Sequence, residues 1–341
     1  MNMQTSGPLT ALEDPQLSAR RIFSLIAPEM AEVEAEFERQ AQSNIQVIAY
    51  ISDYLRASGG KRVRPALTIL SNYAVGGEGA RHNSIRMATV MEFLHTATLV
   101  HDDIIDNAET RRNRPSVNSR FGNQTAVLMG DWLYMSAFET SLAERSLPIL
   151  DILTAATRKM TEGELLQLTL LGHTDITEKE YLFILQHKTA YLFSACCEIG
   201  AIMGGADAVG QAALRDYGMN LGTAFQLVDD LLDFTASDET LGKPAGVDLL
   251  EGKLTLPLIY LLEGDPEARS AVETVMREGS YRKTTRESLL EQVERTGALD
   301  RARERASHYA ETARDALNIL PSSKYTDALH SIPSYIIERD R

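Results

Sequence analysis

Phe225-Gln-Leu-Val-Asp-Asp-Leu-Leu-Asp233 sets three carboxylates at i, i+1 and i+4 inside an apolar helical run, and Val100-His-Asp-Asp-Ile-Ile-Asp106 sets the same pattern earlier in the chain. On a helix, i and i+4 share a face. Asp102 and Asp106 therefore form one acidic edge with Asp103 beside it, and Asp229, Asp230 and Asp233 form another. Like charges at that spacing cost a helix a few tenths of a kcal/mol, and a carboxylate near an apolar face costs more unless a cation joins it. One such run alone reads equally well as a solvated acidic face. Two runs, both flanked by Leu, Val and Ile rather than by Lys and Glu, call for a counter-charge. If the two helices face each other across a cavity, the aspartates converge as hard oxygen ligands suited to Mg²⁺. That ion keeps several waters and takes one or two carboxylates plus substrate phosphate, which points to a phosphorylated substrate.

The chain has 341 residues, 44% of them hydrophobic, enough to bury a large core as one big domain or two close-packed ones. Its 34 basic and 48 acidic side chains give a net charge of −14, which argues against a nucleic-acid or anionic-membrane surface. An anionic substrate must then be gripped locally. No apolar run of 18 residues occurs and the first 15 residues carry no basic-then-apolar signal, so the expectation is a soluble, unexported, cytoplasmic protein. The adjacent Cys196 and Cys197 read as reduced core residues, because a bridge between helical neighbours would be strained. Residues 1–15 read as a flexible leader and 16–341 as a single all-helical domain, with an amphipathic helix pair from Leu17 to about Ser58.

Cations gather at two points. Gly59-Gly-Lys-Arg-Val-Arg-Pro65 places a glycine pair ahead of Lys61, Arg62 and Arg64, so that backbone amides and side chains can approach an anion together. A helix linker with a basic edge is the competing reading. Arg111-Arg-Asn-Arg-Pro115 is a second compact cationic loop, directly after the first acidic run. Metal on one side of an anion and guanidinium forks on the other is how a diphosphate is held. His95 lies seven residues before Asp102 and shares its face, either as a satisfied core group or as a substrate contact. Residues 121–205 read as long helices in which Lys188-Thr189 sits mid-helix. Gln226 falls four before Asp230 and seven before Asp233. The glycine-rich Gly242–Pro257 stretch is too long for a simple turn and brings Lys243, Asp248 and Lys253 within reach of the acidic runs as a lid.

Taken in order, these motifs resemble the trans-isoprenyl diphosphate synthases (polyprenyl synthetases) along almost the whole chain from about residue 20. The resemblance rests on Gly59-Gly-Lys-Arg-Val-Arg-Pro65, Asp102–Asp106 with Arg111-Arg112, Lys188-Thr189, Gln226, Asp229–Asp233, and Gly242-Lys243 with Asp248. It implies an all-α isoprenoid synthase-type helical bundle around a deep central cavity, a homodimer, and a Mg²⁺-dependent head-to-tail condensation of isopentenyl diphosphate with an allylic diphosphate. By that likeness Asp102, Asp106 and Asp229 carry the metal ions, supported by Asp103, Asp230 and Asp233. Arg111, Lys188, Thr189, Gln226 and Lys243 contact the allylic diphosphate, and Lys61, Arg64, His95 and Arg112 bind isopentenyl diphosphate. The Lys188 carbonyl and Thr189 hydroxyl steady the allylic cation, and the released diphosphate takes the proton. Neutralising the leaving group as charge develops is electrostatics aimed at the transition state. Asn113 and Ser116 stand where the family has Gly and Thr; Asn tolerates glycine-like angles and Ser keeps the hydroxyl.

Product length is expected from the helix of the first acidic run. Family members that stop short place an aromatic residue where this chain has Ala97 and Thr98. With small residues there, the tunnel is expected to stay open to Leu94 and Met91, roughly 16 Å along the axis at ~1.5 Å per residue. The Glu92–His101 run also resembles the long-chain enzymes most, so the expected product is an octaprenyl-like quinone side-chain precursor, with at most transient membrane contact as it leaves. The alternatives are a farnesyl or geranylgeranyl diphosphate synthase and a non-catalytic subunit of a two-component synthase. A terpene cyclase would have no need of the second diphosphate pocket at Lys61, Arg64 and His95.

Overall fold

The computed structural model describes residues 15–57, 59–112, 114–236 and 245–338. Within them the regular structure is helical apart from an antiparallel ribbon of two residues a side, Thr110–Arg111 with Arg114–Pro115. The N-terminal stretch forms three helices rather than a pair: α1 (Pro15–Ser24), α2 (Ala27–Gln40) and α3 (Gln46–Ala57). Pro28 sits inside the first turn of α2, where proline is tolerated because that turn has no intrahelical N–H partner to lose. Then come α4 (Val63–Ala74), α5 (Arg81–Ile105), α6 (Val117–Phe121), α7 (Asn123–Leu142), α8 (Leu147–Leu170), α9 (Glu178–Leu185), α10 (Tyr191–Met203) and α11 (Ala208–Thr235). The C-terminal part holds α12 (Val247–Leu250), α13 (Leu256–Gly264), α14 (Arg269–Glu278), α15 (Arg286–Arg295), α16 (Ala298–Ala316) and α17 (Lys324–Ile337).

The two acidic runs end two long helices that run through the core. α5 is buried on nearly every side from Ile85 to Ala97, and α11 from Tyr217 to Phe234. A helix apolar all round belongs in the middle of a bundle. α5 packs on α7, α4 and α2, α11 on α10 and α16, and α10 on α4, so α4 and α10 join the acidic helices into one core. Asp207 caps α11, its carboxylate accepting from Gly210 N at 2.8 Å, and Thr177 and Glu180 form a reciprocal cap on α9. Cys196 and Cys197 are buried, free thiols. No helix among the described residues is long and apolar enough to cross a membrane.

Lys188 and Thr189 do not sit in a regular α-helix. They lie in a π-helical turn, Gln186–Ala190, between α9 and α10. Two glycines make room for it. A Cβ on Gly163 of α8 would stand 2.7 Å from His187 Cβ and 2.9 Å from Lys188 N, and one on Gly222 of α11 would stand 2.7 Å from Ala190 Cα. Glycine costs a helix interior about 0.5–1 kcal/mol relative to alanine; here the loss is offset by close backbone contact. Gly222→Ala should therefore destabilise the protein by about 1–3 kcal/mol through overpacking, seen as a lower thermal midpoint by circular dichroism. An unchanged midpoint would mean the turn is not wedged between α8 and α11.

Candidate active site

Asp102 and Asp229, one from each acidic run, line a single cavity of about 700 Å³. Lys61, Arg64, His95 and Arg112 stand on its wall, together with Lys188, Thr189 and Gln226. The remaining aspartates make other contacts. Asp103 is buried and accepts from Arg111 Nε at 2.7 Å. Asp106 caps the end of α5, with Lys253 Nζ at 3.6 Å. Asp230 and Asp233 are buried; Asp230 accepts from Tyr181 and Gln226, and Asp233 from Asp248 N at 3.1 Å. Among the described residues no three His, Cys, Asp or Glu side chains stand close enough together to hold a metal ion by themselves. Lys243 and Asn113 lie outside the described residues.

Charge is balanced locally. Burial pushes the Asp102 carboxyl up to about 6, against the pull of Lys188. Burial also raises Asp230, reinforced by Asp248 and opposed by the Tyr181 and Gln226 hydrogen bonds. Lys253 meets Glu251 at 2.7 Å as well as Asp106 and Asp248, and these carboxylates hold its ammonium charged despite burial. His95 is driven well below the ordinary imidazole range by burial and by Arg64, so it is neutral. Its Nε2 stands 3.1 Å from Arg64 Nη1, the geometry of a neutral imidazole accepting from a guanidinium. Arg64 also lies 4.8 Å over the Phe193 ring.

The two cationic loops are tied to each other and to α5. Arg112 donates to the Gly59 carbonyl. Ser116 Oγ donates to Ala108 O at 2.5 Å, and Asn118 Nδ2 to Asp103 O at 3.1 Å, which holds the ribbon under the first acidic run. Arg62, in the left-handed region at φ +50°, turns inward to Glu92 of α5 and to Glu34 of α2, the latter at 2.6 Å. Sequence reasoning missed this bracket, although Glu92 precedes His95 by three and so shares its face. It also missed Glu164 and Gln167 on α8, which meet Lys188 Nζ at 2.7 and 2.8 Å. Their i, i+3 spacing was a readable sign of a common face. The expected tunnel residues divide: Thr98 lines the cavity, whereas Ala97, Leu94 and Met91 are wholly buried in the core and do not.

A polyprenyl synthetase family model matches residues 45–293. The chain belongs to the polyprenyl synthetase family. It is 40% identical over 326 residues to octaprenyl diphosphate synthase of Escherichia coli (strain K12), covering 95% of this chain and 100% of that protein. It is 36% identical over 317 residues to a short chain isoprenyl diphosphate synthase of Methanothermobacter thermautotrophicus, covering 91% and 96%. Its fold superposes with a TM-score of 0.89, at 36% identity, on a polyprenyl synthase from Caulobacter crescentus CB15 complexed with calcium and isoprenyl diphosphate, covering 95% of this chain and 98% of that one.

The Arg62 bracket yields a test. Arg62→Ala leaves the buried Glu92 carboxylate without its guanidinium, which should cost about 3–5 kcal/mol in chemical denaturation. Glu92→Gln, which removes the charge and keeps the shape, should cost less. Equal losses would contradict a charge-balancing role.

Proposed function

We propose that this polyprenyl synthetase condenses isopentenyl diphosphate with an allylic diphosphate and repeats the step to a long-chain all-trans polyprenyl diphosphate. The observation that carries the reading is the shared cavity: an aspartate from each acidic run faces the same space as two sets of cationic side chains. Carboxylate oxygens without a complete protein cage fit a Mg²⁺ ion that fills its shell with diphosphate and water. Asp102, Asp106 and Asp229 would hold such ions; that a similar polyprenyl synthase from Caulobacter crescentus was complexed with calcium and isoprenyl diphosphate supports a divalent cation together with a diphosphate. When bound, the metal neutralises charge developing on the leaving diphosphate.

The chain's own side chains do the remaining work. Lys188, braced by Glu164 and Gln167, and Arg111, braced by Asp103, grip the allylic diphosphate with Gln226 and Lys243. Lys61, Arg64 and Arg112 bind isopentenyl diphosphate. Neutral His95 accepts from Arg64 and so aims the guanidinium without adding a charge of its own. Thr189 faces the reacting carbon, and the partly enclosed wall limits water around it.

Long product length is supported by the octaprenyl relative and by Thr98, a small residue on the cavity wall four positions before Asp102. The 36% identity to a short-chain enzyme means that overall likeness separates the two outcomes weakly, so local side chains decide length. A homodimer is supported by Leu128, Met135 and Leu142, exposed at intervals of seven along α7. Sedimentation should then give twice the 37.7 kDa chain mass; a monomer at working concentration would remove that part.

The deciding assay uses radiolabelled isopentenyl diphosphate with geranyl, farnesyl or geranylgeranyl diphosphate as primer, and sizes the dephosphorylated products by thin-layer chromatography. The expected result is a product of about seven to ten isoprene units, abolished by chelator. Thr98→Phe should shorten it by narrowing the cavity below Asp102. Farnesyl-sized product from the unmodified chain would establish the short-chain alternative, and no condensation at all would favour the non-catalytic one.

A further inference from the structure

Tyr181 belongs to neither acidic run and to neither cationic loop, yet its hydroxyl donates to Asp230 Oδ2 at 2.5 Å in a buried setting. The other oxygen, Oδ1, accepts from Gln226 Nε2 at 2.8 Å. Gln226 Oε1 in turn accepts from Thr189 Oγ1 at 2.9 Å. Side chains from α9, α11 and the π-helical turn thus form one unbroken hydrogen-bond chain. Gln226 turns Nε2 toward Asp230, whose second oxygen takes the Tyr181 hydroxyl, and leaves Oε1 for Thr189. The single hydroxyl hydrogen of Thr189 is then used, and what remains on that oxygen is lone-pair density, which favours a developing cation and disfavours diphosphate oxygen. Gln226 keeps one N–H for an anion. Both Gln226 and Thr189 line the large cavity.

Asp230 does not line that cavity with Asp102 and Asp229. It lines a smaller one of about 200 Å³ behind Lys188, Thr189 and Gln226, together with Tyr181. Its carboxylate therefore serves as the end of the chain rather than as part of the opposed acidic pair.

We infer that Tyr181 is a positioning residue for the condensation, holding Asp230 so that Gln226 and, through it, Thr189 present fixed dipoles to the reacting carbon. The inference rests on the condensation proposed above. Tyr181→Phe removes one hydroxyl and leaves the ring. It should lower kcat about tenfold, the scale of one charge-assisted hydrogen bond, with KM for isopentenyl diphosphate unchanged because Lys61, Arg64, His95 and Arg112 are untouched. Asp230→Asn is the second variant, should the first not fold: it leaves one acceptor oxygen where two donors, Tyr181 Oη and Gln226 Nε2, now find one each, so the chain loses one of its two anchoring bonds and should show the same split. Full kcat in either folded variant overturns the inference, as does a fall in kcat matched by a rise in KM for isopentenyl diphosphate. A wild-type chain with no condensation activity would instead overturn the proposed function.

Discussion

Carboxylates brought together away from bulk water repel one another, and this repulsion is the constraint the structure is built to satisfy. Each aspartate of the two runs that turns away from the cavity meets a donor or a cation: Asp103 meets Arg111, Asp106 faces Lys253, Asp230 takes Tyr181 and Gln226, and Asp233 takes a backbone N–H. Asp102 and Asp229 face the cavity, where Lys188 acts on Asp102 from α8's side of the wall. Local neutralisation lets a chain of net charge −14 keep a space suited to anions.

The same reasoning explains why the cations are braced. A guanidinium or ammonium on a loose loop would collapse onto the nearest carboxylate. Arg62 is clamped between α2 and α5, Lys188 between Glu164 and Gln167, and Arg64 between His95 and the Phe193 ring. Each brace comes from a different helix than the side chain it holds, so the site's geometry is set by helix packing. Gly163 and Gly222 extend this control to the backbone, because their missing side chains let the π-helical turn lie between α8 and α11.

Much of this was legible in the sequence. The period of the apolar residues around Asp102–Asp106 and Asp229–Asp233 places both runs on helices, and α5 and α11 end within a residue or two of where that period ends. What the sequence hid depends on partners far along the chain. Nothing local marks 186–190 as a π-helical turn, since its cause lies in glycines on two other helices. The i, i+1, i+4 pattern gives Asp229 and Asp230 equal standing, whereas packing against Tyr181 buries one and leaves the other on the cavity. Likewise Ala97 and Thr98 are adjacent small residues, and only the helix's rotation within the bundle puts Thr98 on the wall and Ala97 in the core.

The central claim is that Asp102 and Asp229 act across one space on one diphosphate. Crystals soaked with Mn²⁺ and a non-ionising allylic thiolodiphosphate test it directly through the anomalous signal of the metal. Manganese bound between these two carboxylates, bridged by the diphosphate, is the predicted result. Manganese elsewhere, or diphosphate bound with neither aspartate near it, would contradict the account.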